Sequence, residues 1–507
     1  MYQPSLGTYL SLAKEYSLIP VYREVLADLE TPISVFMKLC QEEAGAFLLE
    51  SVEGGEKVAR YSFLGCRPLL TLAHREGVSR VMEGEAATEY RTAYQMSHGN
   101  GTAKKLQGDP LNHLRQVMAG YKVHQPANLP RFFGGAVGYL SYDAVRYYEH
   151  LPNVPNDDLD LPEALFMITE LVVVFDHLKH KLIIIANTEP GAEPEVAYRR
   201  AIALLDRAVE RLRGPVPVPP GVQLGRPRPL AVTSNMTQQQ FEDAVNQAKE
   251  YIKAGDIFQV VLSQRLTTSV RSRPLDIYRI LRTVNPSPYM FYITFGDLKI
   301  IGSSPEMLVR VENGVVQTRP IAGTRPRGAS DTEDVALEAE LLADEKERAE
   351  HVMLVDLGRN DLGRVCNFGT VAVKQMMRVE RYSHVMHIVS DVQGRLQEGK
   401  DAFDTLAACF PAGTLSGAPK VRAMEIIDQL EPVKRNVYGG AIGYFAWGGA
   451  MDTCIAIRTM VMKGDKVYIQ AGAGIVADSD PTTEYQECLN KARALVRSLE
   501  VAEEGLA

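Results

Sequence analysis

After Thr237 the apolar residues Phe241, Ala244, Val245, Ala248 and Ile252 recur at the three- and four-residue spacing of a helix with one buried face. Thr237 followed three residues later by Gln240 is a capping-box start and Gly255 a stop, so a helix is predicted between them. The period then changes. Residues 256–265 read as a strand with Phe258, Val260 and Leu262 on one face and Gln259, Ser263 and Arg265 on the other, a polar face suited to a cavity wall. Asn313-Gly314, flanked by apolar runs at 309–311 and 315–318, predicts a tight hairpin, and Gly464-Asp465 predicts another. Upstream, residues 171–175 and 182–186 predict a hairpin around 176–180, followed by a helix over 195–212. Locally joined strands with interspersed helices predict an α+β fold, antiparallel β-sheets packed together with helices on the outside.

The pattern breaks at residues 213–229, where Gly214-Pro215-Val216-Pro217-Val218-Pro219-Pro220-Gly221 and Arg226-Pro227-Arg228-Pro229 exclude regular structure. This predicts an N-terminal domain over 1–212, a Pro-rich linker over 213–235 and a second domain over 236–507, as a chain of 507 residues allows. One internal echo stands out, Gly134-Gly135-Ala136-Val137-Gly138-Tyr139 against Gly439-Gly440-Ala441-Ile442-Gly443-Tyr444, consistent with two matching sheet corners.

Composition narrows the function classes. Hydrophobic content of 46% and charged content of 23% describe a soluble globular enzyme. A net charge of -8 argues against nucleic acid, which needs clustered Lys and Arg. The apolar runs are far too short to span a membrane, and no secretory signal is visible after Met1, so a cytoplasmic protein is expected. Six scattered cysteines without a Cys-x-x-Cys pair fit reduced thiols and no structural zinc.

The candidate chemistry begins with two acid pairs. Glu347 and Glu350 are three apart in a helical pattern, and Glu484 and Glu487 repeat that spacing after Pro481, which suits a first helical turn. Two such pairs meeting at one cavity would offer oxygen ligands to a hard cation such as Mg2+. They sit among the words Ser303-Ser304-Pro305-Glu306, Thr318-Arg319-Pro320-Ile321-Ala322-Gly323-Thr324-Arg325 and Gly358-Arg359-Asn360-Asp361. Taken together, these words resemble the chorismate-utilising enzymes, and among them the large subunits of anthranilate synthases. The likeness is dense from about Asn235 to Leu499 and thinner over the first 200 residues.

That resemblance implies that residues 236–507 form a chorismate-binding catalytic domain, with Glu350 and Glu487 as direct magnesium ligands and Glu347 and Glu484 acting through water. Relatives that add water to chorismate have a lysine where Gln259 stands, so Gln259 points to ammonia as nucleophile. Aminodeoxychorismate synthases, the near alternative, place a nucleophilic lysine at Ala322; alanine leaves direct amination at C2. The other alternative is a regulatory chorismate- or tryptophan-binding protein without activity, disfavoured by the acids and His387. The resemblance makes His387 the acid/base group that helps the C4 hydroxyl leave and His384 structural. Arg458 is the candidate grip on the enolpyruvyl carboxylate, with Tyr438 beside it and Gly472 and Gly474 bringing backbone close. Thr414 and Thr324 are substrate contacts, Lys491 a charge near metal and carboxylate, and Glu306 a pocket wall.

Separate words, Leu48-Leu49-Glu50-Ser51 and Asn285-Pro286-Ser287-Pro288-Tyr289-Met290-Phe291-Tyr292, resemble the tryptophan feedback site of the family, to which Cys454 is added. Glu50 and Ser51 offer polar groups, and Pro288, Tyr289, Met290 and Phe291 an apolar slot. No cysteine lies in a Gly-x-Cys-x-Gly turn, so the chain is expected to take free ammonia and to rely on a separate glutaminase subunit to release it from glutamine.

Overall fold

The computed structural model describes residues 1–51, 60–83, 104–217, 230–381 and 385–505. The middle of the linker and His384 lie outside those residues. Thr237 caps the helix Gln238–Lys253 as its sequence requires: its hydroxyl accepts from Gln240 N at 3.2 Å while the Gln240 side chain accepts from Thr237 N at 2.8 Å. Strands Ala164–Asp176 and Lys181–Thr188 form the upstream hairpin, followed by the helix Pro194–Arg213. Asn313 and Gly314 turn the Met307–Glu312/Val315–Thr318 hairpin at φ of 52° and 70°, the paired positive values a two-residue turn demands. Thr459–Lys463 and Lys466–Ile475 form the hairpin around Gly464-Asp465.

The strands among the described residues join in one 22-stranded system, and all its ladders are antiparallel. Pairing runs across the linker. Gly45–Glu50 pairs with Tyr289–Phe295, and Gly135–Leu140 with Ala441–Ala446. The second ladder explains the sequence echo, because the two similar words are partners centred on Gly138 opposite Gly443. A Cβ on Gly138 would stand 1.9 Å from Leu165 O, and one on Gly443 2.1 Å from Asp452 O, so only glycine lets these neighbouring backbones approach.

Phe47, Phe63, Phe132, Phe291, Ile442 and Tyr444 fill a core drawn from both sides of the linker. A second core packs the helices Pro194–Arg213, Pro274–Val284 and Pro481–Glu504 against the sheet through Leu205, Leu281, Leu495 and Ile469. One strand-face assignment needs correction. Val260 and Leu262 are buried, but Phe258 is 74% exposed, because the strand starts at Gln259 and Phe258 precedes the alternation.

Two histidines are wholly buried, His74 against Ser79 Oγ at 2.7 Å and His351 against Ser390 Oγ at 2.6 Å. Burial pushes their pKa values down to about 3 and about 4. The folded chain therefore holds them neutral where the unfolded chain would protonate them. Stability is full above the ordinary histidine pKa of about 6.5 and falls below it, by up to about 1.4 kcal/mol per pH unit per histidine. The unfolding midpoint is expected to drop between pH 6.5 and 4. Substituting His351 with Gln should flatten part of that slope; an unchanged slope contradicts the account.

Candidate functional site

The Glu345–Gly363 helix is started by Asp344, whose carboxylate accepts from Lys346 N at 3.0 Å and Glu347 N at 3.2 Å. Glu347 and Glu350 follow on one face. Burial and then Glu350 raise the Glu347 pKa, and Arg325 counters this from 3.4 Å while also holding Asp344 at 2.9 Å. The Pro481–Glu504 helix starts on Asp480, which accepts from Thr483 N at 2.9 Å. Burial raises the Glu484 pKa, Glu487 adds to it, and Lys346 acts across from the other helix. The four acids thus stand as two pairs near the starts of two helices, and the charge of Lys346 on one helix is felt by Glu484 on the other. Among the described residues, no group of three or more His, Cys, Asp or Glu side chains is placed to hold a metal ion. An all-carboxylate set of this kind suits magnesium, which keeps several waters and takes further oxygens from substrate.

Strand Gln259–Ser269 pairs with Lys466–Ile475, placing Val261 opposite Gly474 and Ser263 opposite Gly472. Gln259 Nε2 donates to Glu350 Oε1 at 3.3 Å, and it has room to do so because a Cβ on Gly474 would lie only 2.5 Å from that nitrogen. Gly472 similarly clears the Tyr438 hydroxyl, which would be 2.9 Å from a Cβ there, and its carbonyl accepts from Lys491 Nζ at 2.9 Å. The glycines therefore act here by making room, Gly474 for the Gln259 amide and Gly472 for the Leu262 carbonyl and the Tyr438 hydroxyl. Lys491 also pairs with Glu487 at 2.6 Å, and its backbone carbonyl accepts from Arg458 Nη1 at 2.5 Å. Arg458 sits at φ 50°, a left-handed conformation costly for a long side chain and characteristic of sites where geometry is imposed. Burial lowers its pKa, countered by Tyr438 and Glu487.

A bulge between Ala322 and Thr324 aims the Gly323 carbonyl at His387, whose Nδ1 lies 2.8 Å from that oxygen and 3.1 Å from Thr324 Oγ1. A carbonyl only accepts, so Nδ1 carries the proton of the neutral ring and Nε2 is its basic nitrogen. Burial lowers the pKa of His387, and Arg458 lowers it further. Glu306 has the opposite bias: burial holds its carboxyl up at about 7, with Lys491 opposing. Thr414 Oγ1 is buried near this carboxyl, lowers its pKa and has no hydrogen-bond partner among the described residues. Glu306 and Thr414 line a cavity bounded by Leu354, Leu357 and Ile455.

Each of the fourteen residues expected at the chemical site touches, or feels the charge of, at least one other of them: Gln259, Glu306, Thr324, Glu347, Glu350, His387, Thr414, Tyr438, Arg458, Gly472, Gly474, Glu484, Glu487 and Lys491. Arg325 had no expected role, although it lies inside a quoted word.

The seven residues of the second expected site, Glu50, Ser51, Pro288, Tyr289, Met290, Phe291 and Cys454, line one cavity. The ladder placing Met290 opposite Glu50 brings the two words together. The Glu50 carboxylate already accepts from Tyr278 at 2.7 Å and pairs with Arg282 at 2.9 Å, leaving Ser51 Oγ as a buried polar atom without a partner among the described residues. Sequence reading missed Arg131, Arg310, Asp452 and Tyr444, which also line this cavity. Arg310 and Arg131 meet Asp452 at 2.8 and 3.1 Å, a cluster built from remote segments with no shared word.

The chain is 53% identical to anthranilate synthase component 1 of Acetivibrio thermocellus, across 99% of this chain and 100% of the relative. It is 49% identical to the component 1 of Pseudomonas aeruginosa, across 98% and 99%. The crystal structure of anthranilate synthase component I from Streptococcus pneumoniae superposes with a TM-score of 0.76 at 40% identity, covering 93% of this chain and 99% of that one. A menaquinone-specific isochorismate synthase from Escherichia coli, at 20% identity and a TM-score of 0.65, shares the fold. The family model described as chorismate binding enzyme matches residues 73–497, and with full-length relatives at this identity the chain belongs to the chorismate-binding enzyme family.

Proposed function

We propose that the chain is the chorismate-converting component of an anthranilate synthase, forming anthranilate and pyruvate from chorismate and ammonia. The observation that carries the choice of nucleophile is Gln259, a neutral amide engaged with Glu350 on the wall of the site, where a base that activates water would be needed for hydroxylation. Ala322, on the same strand as the bulge, offers no nucleophile for a covalent route.

In this reading Arg458, Tyr438 and Lys491 hold the enolpyruvyl carboxylate, and Thr324 and Thr414 border the ring. Ammonia forms the N–C2 bond as the C4–O bond breaks and the hydroxyl leaves as water. Glu306 is better suited than His387 to protonate that hydroxyl, since burial keeps its carboxyl protonated up to about pH 7 while His387 is neutral. His387 Nε2 then takes the C2 proton as the enolpyruvyl C–O bond breaks, releasing pyruvate and an aromatic ring. Glu350 and Glu487, backed by Glu347 and Glu484, would hold Mg2+, which supplies positive charge for the ring carboxylate.

The nitrogen source is expected to be free ammonia for this chain alone, with a glutaminase subunit as its partner. All six cysteines are buried, unlike the accessible nucleophile a glutaminase needs. A cytoplasmic setting fits these unpaired thiols, and among the described residues no helix is long and apolar enough to cross a membrane. Purified chain given chorismate and magnesium is expected to form anthranilate with ammonium above pH 8 and not with glutamine. Glutamine-dependent product from the isolated chain would overturn the two-subunit reading.

The cavity lined by Glu50, Ser51 and Met290 is proposed to bind tryptophan as a feedback inhibitor, with the indole against Pro288, Met290 and Phe291. Replacing Ser51 with Phe, or Met290 with Thr, is expected to raise the half-inhibiting tryptophan concentration at least about tenfold, with uninhibited turnover within about twofold. Calorimetry that detects no tryptophan binding to the unmodified chain would end this assignment.

A further inference from the structure

Ser303 and Ser304 stand in a motif from which only Glu306 receives a role above, yet both are wholly buried. Strand Leu298–Ser304 ends there, and the next strand begins at Met307. Glu306 therefore lies between two ladders, after Pro305, which has no N–H to donate. Its backbone is tied to the end of the strand Met451–Ile455, whose Cys454 is the register partner of Met307. Glu306 N donates to Ser304 Oγ at 3.4 Å, its carbonyl accepts from Ile455 N at 3.0 Å, and Ser304 Oγ donates to Ile455 O at 2.7 Å. One hydroxyl thus closes a three-membered ring of hydrogen bonds around the residue carrying the acid. A buried serine at a strand end needs only one partner to be satisfied; this one joins Glu306 to the segment that faces it.

We infer that Ser304 is a positioning residue for Glu306, holding its carboxyl beside Thr414 in the orientation that proton transfer requires. The inference rests on the proposed role of Glu306 as the proton donor. A misaimed acid lowers the rate of the chemical step without loosening the substrate, because the carboxylate anchors lie on other segments.

The test is a double-mutant cycle on the full chain, with chorismate, ammonium and magnesium, using Ser304→Ala, Glu306→Gln and the pair. Ser304→Ala is expected to lower kcat at least tenfold, with KM for chorismate within twofold. In the Glu306→Gln background the same change should cost less than twofold, because there is no longer an acid to aim. Ser304→Cys, close in size and weaker as a hydrogen-bonding group, repeats the cycle should the alanine variant fail to fold. If Ser304→Ala or Ser304→Cys costs the same factor with and without the Glu306 carboxyl, or raises KM rather than lowering kcat, the positioning role is overturned while the acid assignment stands. If Glu306→Gln alone leaves turnover unchanged, the acid assignment fails, and this role for Ser304 fails with it.

Discussion

Glu350→Gln and Glu487→Gln are each expected to lower anthranilate formation by about 100-fold or more, with the unfolding midpoint shifted by only a few degrees. Each change keeps the shape and removes one negative charge from an oxygen-donor set. At Glu350 the glutamine can still meet the Gln259 amide, now 3.3 Å from a carboxylate oxygen. At Glu487 the lost partner is Lys491, whose side chain is 38% exposed, so breaking that pair costs little stability. Activity should therefore separate cleanly from folding. The magnesium concentration for half-maximal rate should rise in both variants, and more steeply than for Glu347→Gln or Glu484→Gln if those two act through water. Either direct-ligand variant keeping near-normal turnover and magnesium dependence would show that the acid pairs serve another purpose.

Arg458→Lys is the second large effect, with an expected loss of roughly 2 to 4 kcal/mol of transition-state stabilisation. The guanidinium spends Nη1 on the Lys491 carbonyl at 2.5 Å and still has the rest of its planar fork for a carboxylate. A single ammonium on a flexible stem cannot do both. It would also have to accept φ 50° without the fork that compensates for that backbone conformation. The loss should appear in kcat/KM for chorismate. A change smaller than threefold would remove Arg458 from the role of carboxylate anchor.

What could be read in advance follows a physical divide. The capping box at Thr237, the Asn313-Gly314 turn and the helix starting at Pro481 depend on neighbours in sequence, and all three form where local chemistry asks for them. The acid pairs and the glycines near 472 were legible as words, but what Gly474 does, clearing a path for the Gln259 amide, depends on a ladder partner more than 200 residues away. The Arg131, Arg310 and Asp452 cluster was invisible for the same reason. Phe258 was misread because one residue decides whether an alternation has begun. The proton inventory was also beyond the sequence. Both Glu306 and His387 are titratable, and only their burial shows that one holds its proton near neutrality while the other stays neutral.

The most direct measurement is the fluorescence of the aromatic product when the purified chain receives chorismate and ammonium at pH above 8, with and without magnesium. The account predicts anthranilate accumulating with an equal amount of pyruvate, only when magnesium is present. An isochorismate or aminodeoxychorismate product, or anthranilate formed at the same rate after chelation of magnesium, would contradict it.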